Sequence, residues 1–360
     1  MKVSSLVLLA AAVTSVHAFV PMTHNTVPST SSSFSSTTSL NAIGVLAKKA
    51  KQASLKEYVS NGVEDHVMAV YKDMKAAVSS STDDDDTDET VGPIQQAITK
   101  RKGTITIIAE YKRTNSEAEN GFISEMFDPE LLSPTFREFG ASAVAVMADE
   151  RMGGCSYDDI NAFVVEQARA HQEVPGPIPV INNDLVIDEL QIARSKAYGC
   201  QGLVMQYGLV KDELTDLLKA TKAVGLEAIV AVSTHEEAQA AIDGGARMVS
   251  VVHVEGIEDK VAVIQDLKIP EGAQVAMIAN IKAKNNKQLQ EIEEAWALRD
   301  KGFNCVWVGE ALYKSGADFT EHPGAIIKSM KSKSSLKWAS PKASSGRGEG
   351  AREYLGDILM

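Results

Sequence analysis

The sequence contains very little cysteine, which excludes two classes of protein. Only Cys155, Cys200 and Cys305 occur among its 360 residues. They are far apart along the chain and have no histidine at ligand spacing, so neither a disulfide framework nor a zinc site is indicated. We therefore expect three reduced thiols in the protein core.

The sequence also lacks a basic face and a long apolar run. The formal net charge is -12, and the basic residues are scattered apart from short clusters such as Lys48, Lys49 and Lys51. No apolar run after the N-terminus reaches the roughly 18 residues that a membrane span needs. We therefore expect neither a nucleic-acid partner nor a membrane span in the mature protein.

The first 41 residues have the composition of a targeting segment. Residues 1–18 combine an apolar stretch over 6–13 with the small-x-small sequence Val16-His17-Ala18, which is typical of a signal peptide. Residues 19–41 begin with Phe19 and continue as a Ser/Thr-rich segment without acidic residues. This pair resembles the bipartite plastid presequence of algae with secondary plastids, which predicts a location in the plastid stroma. A secreted protein is the alternative, and the lack of paired cysteines argues against it.

The rest of the chain divides into four parts. Residues 42–79 carry apolar side chains at spacings of mostly three and four, which predicts a helical extension. Residues 80–92 include a run of four aspartates and predict a solvated acidic linker, with metal binding as a weaker alternative. Residues 93–330 form the main domain. The segment 331–360 is rich in Lys, Ser and Gly and predicts a flexible tail whose apolar end either packs back on the domain or binds a partner.

The main domain alternates short β-rich runs with helical patterns. We count eight such runs, at 104–109, 141–147, 178–181, 202–206, 228–232, 248–252, 274–278 and 305–308. Glycines stand directly before several of them, as expected where a helix ends. Eight βα units in roughly 230 residues predict an α/β fold of the TIM (β/α)₈ barrel type. A doubly wound open sheet is the alternative, but no glycine-rich phosphate loop follows the first run.

The active site of such a barrel lies at the carboxyl ends of its strands, so those positions are the candidate site. The first run continues into Ile108-Ala109-Glu110-Tyr111-Lys112-Arg113. Side chains alternate along a strand, which places Glu110 and Lys112 on one side, where they serve either as catalytic groups or as a pair that neutralises itself. This motif resembles the first catalytic strand of indole-3-glycerol-phosphate synthase.

The resemblance extends over residues 93 to 318. The second unit, 143–154, is similar to the family's strand that ends in Thr-Asp, and the third, 179–192, to its Pro-Val-Leu-x-Lys-Asp-Phe-Ile-Ile-Asp motif. Residues 224–227 and 308–312 complete the series in the right order. The resemblance implies a ring-closing decarboxylation of a carboxyphenylamino-deoxyribulose phosphate in tryptophan biosynthesis, without a metal or other cofactor.

The same resemblance implies that most catalytic groups have been replaced. The family's general-acid lysine corresponds to Asn183, its catalytic glutamate after the fifth strand to Ala231, its asparagine after the sixth to Val252, and its Glu-Ser pair after the seventh to Ile278-Ala279. Met152 and Leu185 stand where the family has the phenylalanines that flank the substrate ring. An amide cannot act as a general acid at neutral pH, so we expect the ring-closing activity to be impaired or lost.

Other positions keep the family's pattern and are candidates for substrate binding. They are Asp149, Asp184, Gly309 and Glu310. Gly309 lies at the loop where backbone N–H groups of a barrel often hold phosphate, with a plain turn residue as the alternative. Two functions from different classes therefore stay open. One is an enzyme of the synthase type, and the other is a non-catalytic plastid barrel that binds a phosphorylated small molecule or, through its termini, a protein partner.

Overall fold

The computed structural model describes residues 36–80, 91–99, 103–114, 128–284, 289–313, 315–316, 319–320 and 323–332. The predicted signal peptide, most of the acidic linker and nearly all of the predicted tail lie outside these residues, so those predictions stand untested.

The centre of the molecule is a closed barrel of eight parallel strands, in the order in which they occur along the chain. The strands are β1 (Thr106–Tyr111), β2 (Ala143–Val146), β3 (Val180–Asn182), β4 (Gly202–Gln206), β5 (Glu227–Val232), β6 (Met248–Val251), β7 (Ala276–Ile281) and β8 (Cys305–Val308). The barrel closes because β8 pairs with β1, for example Val306 with Ile107. The predicted (β/α)₈ barrel is confirmed, and each predicted run coincides with or overlaps one strand.

Helices surround the barrel and also precede it. They are α1 (Ser36–Asn61), α2 (Asp65–Ser80), α3 (Pro93–Ile98), α4 (Pro129–Glu138), α5 (Tyr157–Arg169), α6 (Glu189–Ala197), α7 (Tyr207–Val210), α8 (Leu214–Ala223), α9 (His235–Asp243), α10 (Ile257–Ile264), α11 (Leu289–Asp300) and α12 (Pro323–Lys331). Helix α1 begins at Ser36, six residues before the boundary at 42 that the sequence suggested for the extension. Helix α2 packs against α6 and α8 on the outside of the barrel.

Two layers of apolar side chains follow from the alternation along each strand. The inward layer includes Ile108, Ala145, Ile181, Ile278 and Trp307, together with Ile94 and Ile98 of α3. The outward layer packs against the helices and forms the larger core. The three cysteines are free and buried within these layers, as predicted.

Glycines end several of the helices that lead back to a strand. Gly140, Gly199, Gly225 and Gly302 have φ between 66° and 108°, the left-handed region that glycine enters at little cost. At Gly199 an added Cβ would also lie 2.8 Å from a methyl group of Val164. The predicted stop signals are therefore confirmed at these four positions.

Candidate active site

The end of β1 places Glu110 inside the barrel mouth, where it is only 7% exposed. Its Oε1 accepts a hydrogen bond from Asn183 Nδ2 at 3.0 Å, and its Oε2 accepts one from Trp307 Nε1 at 3.3 Å. Burial raises the pKa of Glu110 above its usual range, while nearby Lys112 partly opposes that change. Because both direct donors are neutral, burial favours the protonated form of this carboxyl.

Lys112 lies on the same strand, but its ion pair is with a different residue. Its Nζ lies 2.7 Å from Oε1 of Glu310, in the turn that follows β8. Both side chains are partly buried, at 13% and 27% exposure. The sequence predicted that Glu110 and Lys112 lie on one side of the strand and could pair with each other. In the structure Lys112 pairs with Glu310. A carboxylate of a ligand would have to compete with Glu310 for this ammonium group.

Two candidate residues follow β3, Asn183 and Asp184, and their side chains contact different partners. Asn183 faces the barrel axis and contacts Glu110. Asp184 is nearly buried and forms an ion pair with Lys51 of α1, which also lies 2.9 Å from Asp149 after β2. Asp149 and Asp184, predicted to bind substrate, are therefore both engaged by one lysine of the helical extension.

The far wall of the mouth is apolar at the positions for which the resemblance predicts lost polar groups. Ala231 and Ile278 are buried, and Val252 is partly exposed at the end of β6. Ile278 belongs to the inward layer, whereas Ala279 belongs to the outward layer against the helices. Ala231 and Ile278 therefore lie on inward-facing positions of β5 and β7, while Val252 directly follows β6. None of these side chains offers a group that transfers a proton.

Gly309 lies directly against the Glu110 carboxyl group. A Cβ added at Gly309 would collide with Oε2 of Glu110. The loop predicted to hold phosphate is thus in direct contact with the buried carboxyl group of Glu110. The turn Glu310–Tyr313 follows, and Tyr313 donates its hydroxyl hydrogen to the backbone oxygen of Glu110 at 2.7 Å.

The two positions that the resemblance assigns to the ring-flanking phenylalanines lie in different surroundings. Met152 is 43% exposed, while Leu185 is half-buried and packs against the outward core. Neither side chain is aromatic, so the stacking that two phenylalanines give to a flat ring is missing.

Two residues at the site were not singled out from the sequence. Trp307 alternates with Cys305 and Gly309 on the inward face of β8, so strand periodicity alone could have placed it there. Lys51 gave no such signal, because its partners are 98 and 133 residues away along the chain. Only the packing of α1 against the barrel rim brings it to the two aspartates.

The described residues show neither a metal centre nor a membrane span. No group of three or more His, Cys, Asp or Glu side chains in this part of the chain is arranged to hold a metal ion. None of the described helices is long and apolar enough to cross a membrane.

Comparison with known proteins agrees with the motifs. A sequence model of indole-3-glycerol phosphate synthase matches residues 55–321. The chain is 25% identical to the indole-3-glycerol phosphate synthase of Carboxydothermus hydrogenoformans over 225 residues, 62% of this chain and 80% of that protein. It is 28% identical to that of Mycobacterium avium over 62% of this chain and 77% of that protein.

Some alignments are shorter. The match to the Roseiflexus enzyme is 32% identical over 148 residues, which is 41% of this chain and 53% of that protein. Among solved structures, thiamine phosphate pyrophosphorylase from Pyrococcus furiosus is matched with a TM-score of 0.43 at 14% identity, over 63% of this chain and 94% of that one. The family match covers well over half of the chain, and the chain therefore belongs to the indole-3-glycerol phosphate synthase family.

Proposed function

We propose that this barrel of tryptophan biosynthesis has lost most or all of its ring-closing activity and retains a weak site for a phosphorylated metabolite. The observation that carries the proposal is the contact between Asn183 and Glu110 at 3.0 Å. The position that corresponds to the family's general acid holds an amide, and this amide is already used as a hydrogen-bond donor. It cannot supply a proton to a carbonyl or hydroxyl group.

The apolar wall supports the same conclusion. Ala231, Val252 and Ile278 leave β5, β6 and β7 without an acid or base at these positions. Each lost general acid or base typically lowers the rate by about two to four orders of magnitude, although such losses do not simply add. Of the retained pair, Glu110 is buried against neutral donors and Lys112 is paired with Glu310.

Phosphate binding is proposed from family membership. The relatives are named for indole-3-glycerol phosphate, and barrels of this kind hold phosphate with backbone N–H groups after their last strands. We expect a ligand with both a carboxylate and a phosphate to bind weakly. Its carboxylate would compete with Glu310 for Lys112. Its phosphate would lie close to the Glu110 carboxyl, which is in contact with Gly309.

The decisive experiment is turnover of the carboxyphenylamino-deoxyribulose phosphate by the purified protein, followed by indole fluorescence. We expect no detectable product. A matched variant, Asn183→Lys with Ala231→Glu, returns two family residues to the mouth and should gain measurable activity. Turnover by the unmodified chain on the order of once per second or faster, which is ordinary for an enzyme, would overturn the proposal.

Ligand binding is tested separately by calorimetric titration with a non-reactive analogue of the substrate and its dephosphorylated form. We expect weak binding that depends on the phosphate, and little effect of Lys112→Ala on the dephosphorylated form. If no binding appears at millimolar ligand, about -4 kcal/mol, the small-molecule site is refuted. A role of the termini in binding a protein then becomes the leading alternative.

We also propose that the protein works in the plastid, because residues 1–41 resemble a bipartite presequence. Fusion of this segment to a fluorescent protein in an alga with secondary plastids should direct the fusion to the stroma. Replacing Phe19 by alanine should hold the fusion outside the stroma, since this residue is the specific part of the resemblance. Secretion of the unmodified fusion would contradict the proposal.

A further inference from the structure

Lys51 of α1 forms ion pairs with two aspartates, one after β2 and one after β3. Its Nζ lies 2.9 Å from Oδ2 of Asp149, after β2, and forms a second ion pair with Oδ1 of Asp184, after β3. The three side chains are 11%, 17% and 2% exposed. We call these three residues the rim clamp.

The clamp belongs to the helical extension. Lys51 lies on α1, and the match to the family model begins at residue 55. One turn earlier, Lys48 donates to the backbone oxygen of Leu209 at 2.6 Å and to Glu213 at 3.1 Å. Helix α1 therefore contacts the chain after β2, β3 and β4, but its buried charge contact is the one made by Lys51.

The two aspartates repel each other in the absence of a cation. Burial of Asp184 raises its pKa, and the neighbouring charge of Asp149 adds to that effect, while Lys51 opposes it. Burial also disfavours the charged form of Lys51, but the two carboxylates raise its pKa overall. The ammonium group is therefore the charge that allows both strand ends to lie close together in a partly buried place.

The clamp connects directly to the mouth through the backbone of β3. Asp184 follows Asn183, whose backbone N–H donates to Val146 of β2 and whose side chain donates to Glu110. Glu110 in turn accepts from Trp307. A displacement of the β3 end thus changes the contacts of the buried Glu110 carboxyl.

From this geometry we infer that Lys51 is a positioning residue of the barrel mouth: it fixes the ends of β2 and β3 so that Asn183 holds the Glu110 carboxyl against Trp307. The inference concerns how the mouth is held and does not depend on whether the protein is catalytically active. It assigns to α1 a role in the site in addition to covering the barrel.

Trp307 provides the test, because its indole N–H contacts Glu110 directly. The full chain is studied with Trp296→Phe and Trp338→Phe, so that Trp307 is the only tryptophan left of the three. In this background Lys51→Met should shift the emission maximum of the folded protein by several nanometres. Lys51→Arg should keep the original spectrum, because it keeps the charge.

Two further variants separate positioning from general stability. Lys48→Met removes a more exposed contact of the same helix and should leave the emission unchanged even if it lowers the unfolding midpoint. Adding Asp184→Asn to Lys51→Met removes the repulsion between the aspartates and should return the spectrum toward the original. If Lys51→Met does not fold, Lys51→Gln, which keeps a donor but no charge, should shift the emission relative to the background with Lys51; an unchanged emission would overturn the inference.

The contrary results are equally clear. An unchanged Trp307 spectrum in folded Lys51→Met would show that the clamp only attaches α1 to the barrel. An equal shift in Lys48→Met, or no recovery on adding Asp184→Asn, would show that the charge balance at the rim does not control the mouth. Any of these results overturns the inference.

Discussion

Replacement of Glu110 by glutamine should stabilise the protein at alkaline pH and have little effect near pH 4.5. The carboxyl group is 7% exposed and has two neutral hydrogen-bond donors, so burial raises its pKa in the folded state above the usual value near 4.5. An acid with a raised folded-state pKa contributes stability below its unfolded-state pKa and loses that contribution as the pH rises through the folded-state value. At pH 8 the ionised form therefore destabilises the fold.

Glutamine has nearly the same shape and carries no charge. Its amide oxygen can accept from Trp307, and its amide nitrogen can donate to Asn183 once the Asn183 amide turns over. Leaving a buried polar group without full compensation costs about 1–3 kcal/mol, and more when the group is charged. We therefore expect a gain of about 1–3 kcal/mol at pH 8, the same scale as that cost.

The measurement is urea unfolding of both proteins from pH 4.5 to 8.5. The difference in the free energy of unfolding should grow with pH. Glu258→Gln is the control, because Glu258 is 76% exposed, and exposed substitutions usually change stability by less than about 0.5 kcal/mol. A loss of about 1 kcal/mol or more for Glu110→Gln at pH 8, on the same scale of mutational effects, would refute the reasoning, because the ionised carboxylate would then be a stabilising group.

Three further predictions follow from contacts elsewhere. Gly309→Ala should destabilise the fold by about 1–3 kcal/mol because its methyl group meets Glu110, and the cost measured by urea unfolding should fall in a Glu110→Ala background. The three cysteines should resist a thiol reagent until the protein unfolds, because burial raises the pKa of each to about 12; rapid native-state labelling would contradict this. Glu294→Leu should cost about 3–5 kcal/mol, because among the described residues buried Lys260 then keeps only the backbone oxygen of Asn280 as a partner. Lys260→Met should cost less, since Lys284 still pairs with Glu294.

The strand ends for which the resemblance predicts lost polar groups illustrate what packing of the barrel requires. Ile278 and Ala231 are buried in the barrel, where an apolar side chain packs without needing a partner. The glycines that end several helices lie in the left-handed region, where they direct the backbone toward the next strand. Packing of the barrel therefore does not require polar side chains at these positions.

The sequence by itself determined the order of strands and helices, because alternation with period two and glycine stop signals are local properties of the chain. It also indicated which strand-end residues lie inside the barrel, since β-strand parity assigns each residue to the inside or the outside. Only the tertiary structure decided which charges meet. Lys112 pairs with Glu310, 198 residues away, and Lys51 reaches two aspartates from a separate helix. Closure of the barrel and packing of α1 on its rim bring these groups together, and no local pattern encodes such distances.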